Sequence, residues 1–124
     1  MIDQVLAYIG AAFVVFWGIA HLFPTKGVVA GFGDISGDNR NIITMEWIVE
    51  GVALIFIGAL VATVTVVDAA SPVTQAVYWL AFIGLNALSV VSLFTGFKVN
   101  FLPFKLCPVI FTTASILILS GTYL

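Results

Sequence analysis

The chain has 124 residues, of which 62% are hydrophobic and only 8% charged, against about 25% charged in an ordinary soluble domain. So few polar side chains cannot cover a water-facing surface, and a net charge of −2 with four basic residues excludes a nucleic-acid-binding patch. A single cysteine, Cys107, excludes an intrachain disulfide and a cysteine-pair metal site.

A helix needs about 20 mainly apolar residues to cross a bilayer, and four such runs occupy residues 5–23, 48–67, 77–97 and 106–124. Only His21 and Glu50 place an acidic or basic side chain inside them. The expected fold is all-α: a polytopic membrane protein, residues 1–124 forming one up-down four-helix transmembrane domain. Its helices are expected at about 5–23, 44–67, 74–97 and 106–123.

The first run opens with "MIDQ", which carries Asp3 and no Lys or Arg, so it does not read as a cleaved signal peptide. It closes at Phe23-Pro24, because proline disfavours helix at the residue before it. The connector "PTKGVVAGFGDISGDNRN" is interrupted by Gly27, Gly31, Gly33 and Gly37, and its "VVAGFG" stretch is apolar enough to lie at the membrane interface. Ser71-Pro72 in "DAASPVT" reads as a turn followed by a helix start. The last two runs are joined by "KVNFLPFK".

Lys26 and Arg40 lie in the first connector, Lys98 and Lys105 in the third. The positive-inside rule then puts both termini outside a bacterial-type inner membrane and the two basic loops in the cytoplasm. Tyr8, Tyr78, Trp79 and Tyr123 fall near the outer interface and Trp47 near the inner one, as in aromatic belts.

The polar residues that remain are few. Glu46 and Glu50 are four apart and share one face of the second run. Counted from Ile42, Glu50 lies about 12 Å into that helix. His21, one turn from the end of the first helix, comes to nearly the same depth, with Trp17, Gly18, Val14 and Gly10 on the face above it. Asn86 lies near the middle of the third run, followed by Ser89, Ser92 and Thr95. If the first three runs pack together, His21, Glu46, Glu50 and Asn86 converge.

An ionised side chain at a helix centre is disfavoured by about 2.5–3.5 kcal/mol, so such a group faces the bundle, finds a partner or loses its charge. Glu50 is therefore expected to be neutral or hydrogen-bonded into the bundle. Asn86 and the Ser/Thr row read first as interhelical hydrogen-bond formers. Small residues at Gly51, Ala53, Gly58, Ala59, Gly84 and Ala87 read as close-packing positions. No metal site is expected. The chain has one histidine, and His21 with Glu46 and Glu50 would be a mixed set from two helices.

"GIAHLF", the Gly-rich connector and "EGVALIFIG" together resemble the DoxX-like family of small four-helix membrane proteins. Gly18, Leu22, Phe23, Glu50, Gly51 and Gly58 fit the family pattern, while His21 stands where a lysine is common. The resemblance covers about half the chain and implies a four-helix bundle. Some members of the family are associated with quinone-linked membrane oxidoreductase systems, and many have no known activity.

Three functional readings follow. In the first, the chain is an auxiliary subunit of a membrane redox system that binds a quinone or similar polar-headed lipid. Glu50, His21 and Glu46 would then exchange protons or hydrogen bonds with the headgroup, Asn86 would orient a carbonyl, and Trp17 or Trp47 would stack on the ring. In the second, a homo-oligomer forms a proton-coupled transporter or channel in which Glu50 titrates. In the third, the acid/His pair serves an intramembrane enzyme that modifies a lipid. The expected partners are the bilayer, redox-complex subunits and further copies of the chain.

Overall fold

The computed structural model describes residues 1–122 and contains only helical regular structure. Four helices are long and apolar enough to span a membrane: α1 (Ile2–Leu22), α3 (Gly37–Asp68), α4 (Pro72–Phe94) and α5 (Leu102–Ser120). A short α2 (Thr25–Ala30) lies between the first two, and a 3-10 turn (Gly96–Lys98) follows α4. The chain is a small multi-pass membrane protein with an all-α, four-helix bundle fold.

The helix starts follow local chemistry. Ser36 caps α3 by accepting from the Asn39 N–H (3.1 Å), and Ser71 caps α4 by accepting from the Thr74 N–H (3.1 Å), with Pro72 in the first turn. The α3 cap corrects the sequence boundary. Helix α3 begins at Gly37, about two turns before the expected start at residue 44, and its 32 residues extend about 48 Å against a hydrocarbon layer of about 30 Å. Hydropathy detects only the part that lies in lipid. Helix α4 stops at Phe94, because the Thr95 backbone (φ −126°, ψ −87°) leaves helical geometry. Helix α5 starts at Leu102, with proline in its first turn, ahead of the expected residue 106.

Consecutive long helices are neighbours, and α5 closes the ring against α1. The α1/α3 seam is the closest. A Cβ on Gly18 would lie 2.7 Å from the Gly51 carbonyl oxygen, and one on Gly58 would lie 2.6 Å from the Ala11 carbonyl oxygen. On the other side of α1, a Cβ on Gly10 would meet the Ala114 carbonyl oxygen of α5 at 2.8 Å. Of the expected close-packing positions, Gly51 and Gly58 hold that role. Gly84, Ala53, Ala59 and Ala87 are exposed, and a Cβ on Gly84 would touch nothing within 4 Å.

The core combines Ala7, Ala11 and Val14 with Leu54, Val61, Tyr78, Leu85, Phe111, Ala114 and Ile118. Polar side chains stitch the seams. Asn86 donates to Ser115 Oγ (2.9 Å), and Ser89 and Thr112 share a hydrogen bond (2.8 Å) between α4 and α5. Thr65 and Tyr78 join α3 to α4 (2.6 Å). Tyr78 is thus buried in the bundle and is not part of a lipid-facing belt, because its hydroxyl finds a partner inside. Tyr123 lies outside the described residues.

The Gly-rich connector is more ordered than its composition suggests. Gly27 sits within α2, Gly37 opens α3, and only Gly33 takes a left-handed turn (φ +75°). The connector folds over the end of the bundle that also carries the 3-10 turn and the basic residues.

Candidate functional site

The centre of that basic end is organised by Trp47. Its ring stacks on His21 with centroids 3.9 Å apart and planes 17° from parallel. Its indole N–H donates to the His21 carbonyl oxygen at 2.7 Å. That carbonyl is one of the last in α1 and has no acceptor role left inside its own helix. Thr25 Oγ1 donates to the neighbouring Leu22 carbonyl (2.6 Å), so side chains from two elements finish the end of α1. One tryptophan therefore holds both the ring and the backbone of His21.

With its ring clamped, His21 directs Nε2 toward Glu50, whose Oε2 lies 3.3 Å away. The distance is within ion-pair range, but the pair makes no hydrogen bond, and the buried Nε2 has no hydrogen-bond partner among the described residues. The His21 side chain is 8% exposed and that of Glu50 46%, so the histidine is the inner member of the pair. Glu50 thus lies beside His21 at 3.3 Å without a hydrogen bond between them. Glu46, one turn away on the same face, has no hydrogen bond or ion pair among the described residues.

Both glutamates line a cavity of about 1020 Å3. Pro24, Gly27, Val28, Gly31 and Phe32 form its α2 side, Ile42, Ile43, Val49 and Ala53 continue its α3 wall, and Leu88, Val99, Phe101 and Phe104 face them. The glutamates are the only acidic or basic side chains in this lining. Trp47 meets Phe104 edge-on (5.8 Å, 85°), and Phe104 meets Phe101 (5.5 Å, 67°). A row of rings from His21 to Phe101 thus crosses this end of the bundle.

Two expected site residues lie elsewhere. Asn86 does not join the acid/His group. Helices α1 and α4 stand on a diagonal of the ring, and the Asn86 amide is engaged by Phe82 O (2.7 Å) and Ser115 Oγ. Trp17 packs against the hydrophobic core and does not line the cavity. Trp47 does line it, but one of its faces is already covered by His21. Phe101 and Phe104 were not anticipated. Their only signal is a pair of aromatics flanking a proline in "NFLPF", which is unexceptional in a membrane segment.

Chemically, the site offers a carboxylate and an imidazole close enough to exchange a proton, a second carboxylate one turn away, and aromatic walls. No family model, curated protein or solved structure matches the chain. What the fold and the site define is a class: a four-helix membrane protein with an acid–base pair at the wall of a large, mostly apolar cavity.

Proposed function

We propose that the protein is an auxiliary, ligand-binding subunit of a bacterial-type inner-membrane redox system. In this reading the cavity holds the headgroup of a quinone or a similar polar-headed lipid on the cytoplasmic side. The observation that carries the proposal is the cavity of about 1020 Å3 whose apolar and aromatic lining is broken only by Glu46 and Glu50, with His21 3.3 Å behind Glu50. Small-molecule sites combine these features: an apolar, concave wall and a few convergent polar groups. Ionisable side chains inside a bundle mark ligand or proton pathways more often than they mark structure. The resemblance of "GIAHLF" and "EGVALIFIG" to DoxX-like proteins points the same way.

Glu50 is the proton or hydrogen-bond partner of the headgroup, His21 shares its proton, and Glu46 provides a second acceptor. The same pair favours one other reading, an intramembrane enzyme that moves a proton on a lipid, in which turnover depends on Glu50. Native mass spectrometry of gently solubilised protein beside Glu50→Gln separates the readings. A small molecule retained by the wild type and absent from the variant is the expected result, and its mass names the ligand class. A bare protein in both samples overturns the binding role. A bare homo-oligomer would move the assignment to proton-coupled transport.

A further inference from the structure

Beyond the cavity, the α3/α4 seam opens into a second, wholly apolar space of about 170 Å3. Its walls include Ile57 and Val61 of α3 and Leu80, Ala81, Gly84 and Leu85 of α4. These residues continue the cavity lining in helical register. On α3, Ala53 leads to Ile57 and then Val61. On α4, Leu88 leads to Gly84 and then Leu80. Positions four apart stack on one helix face, so each wall is a single stripe. From residue 50 to residue 61 that stripe runs about 16 Å along α3.

Gly84 makes the furrow what it is. Glycine in a helix interior costs stability relative to alanine. At Gly18, Gly51 and Gly58 that cost has a visible return, since a neighbouring helix occupies the place of the missing Cβ. At Gly84 no atom of the described residues lies within 4 Å of that place, and the residue leaves open space on the furrow wall. The mouth of the furrow has a definite polarity too. Glu46 and Glu50 as carboxylates only accept hydrogen bonds, so they pair with hydroxyl donors and repel an anionic phosphate head.

We infer that cavity and furrow hold one amphipathic molecule, a hydroquinone-like ring whose hydroxyls donate to Glu46 and Glu50 and whose single apolar tail runs between α3 and α4 past Gly84. The inference rests on the headgroup reading above and adds the reduced form of the ring and the path of the tail.

The test uses the full chain in phosphatidylcholine nanodiscs, with bound probe extracted and quantified after subtraction of empty discs. The probes are a benzohydroquinone without a tail, the same ring with a ten-carbon tail, and the oxidised form of each. Wild type and Gly84→Leu are compared in identical discs, so that partition into lipid cancels. The expected result is a tenfold or greater loss of tailed-probe affinity in Gly84→Leu with tailless binding unchanged, and a Glu50-dependent preference of the wild type for reduced over oxidised rings. A Gly84→Leu protein that takes up the tailed probe as the wild type does overturns the tail path. Equal affinity for reduced and oxidised rings overturns the assignment of the head. If no ring probe binds the wild type at all, the headgroup reading itself falls, and the inference with it.

Discussion

Trp47 does three things at once: it stacks on His21, donates to the His21 carbonyl, and carries the aromatic row on to Phe104. Trp47→Phe keeps an aromatic ring but removes the 2.7 Å hydrogen bond, leaving a carbonyl at the end of α1 unpaired. A net hydrogen bond contributes about 1 kcal/mol, so the expected outcome is a modestly lowered midpoint in thermal unfolding in detergent. A midpoint equal to that of the wild type would show that water replaces the indole. His21→Leu removes the one ion-pair-distance partner that Glu50 has among the described residues, while leaving its carboxylate on the cavity wall. If the cavity holds a ligand as proposed, its retention in that variant should fall, though less than in Glu50→Gln, since Glu50 and Glu46 line the cavity and His21 stands behind Glu50. Equal losses in the two variants would make His21 a direct ligand contact. His21 and Glu50 were legible in the sequence because an ionisable group in an apolar run is costly and therefore conspicuous. Phe101 and Phe104 were not, since nothing about an aromatic side chain in such a chain is conspicuous.

The helices pack by two different means. Along α1/α3 the backbones approach through absent side chains, at Gly18 against Gly51 and at Gly58 against Ala11. Along α4/α5 they are held by hydrogen bonds, Asn86 to Ser115 and Ser89 with Thr112. The two seams should respond differently to substitution. Gly58→Val forces a branched side chain against the Ala11 carbonyl and Val15, and overpacking of this kind costs about 1–3 kcal/mol. Gly84→Ala meets open space and should be neutral or slightly stabilising. Thermal unfolding of the two variants side by side checks both, and a destabilised Gly84→Ala protein would mean that the furrow is closed by contacts absent from a single chain. Asn86→Leu should cost about 0.6–2 kcal/mol, the range of interhelical hydrogen bonds in membranes, and leave ligand retention intact, because Asn86 belongs to the α4/α5 seam. Spacing alone identified these small and polar residues. It did not sort Gly58 from Gly84, since each has the same local sequence character and differs only in what faces it.

Taken whole, the bundle is asymmetric from end to end. Both basic loops, the α2 segment, the aromatic row and the cavity gather at one end, and α3 overhangs the apolar layer. If the positive-inside rule governs insertion, that end is cytoplasmic. On a Cys107→Ser background, Ser71→Cys should react with a membrane-impermeant maleimide in intact cells, whereas Ser36→Cys should react only after permeabilisation. The opposite pattern would invert the protein and place the cavity on the outer side.

Four spans, up-down connectivity and the Ser71-Pro72 helix start could be read directly from the chain, because hydrocarbon thickness and backbone hydrogen bonding leave apolar runs of this length one stable form. The same reasoning grouped His21, Glu46, Glu50 and Asn86; His21 and Glu50 lie 3.3 Å apart, while Asn86 is bonded to Ser115 of α5. The order of helices around the ring was not readable. That order puts α1 and α4 on a diagonal, turns Asn86 toward α5, buries Tyr78 and leaves Gly84 beside an open furrow. In a lipid-soluble chain nearly every face is apolar, so periodicity does not say which face meets which neighbour. Close approach at a few glycines and a few interhelical hydrogen bonds settles that, and both exist only once the helices are side by side.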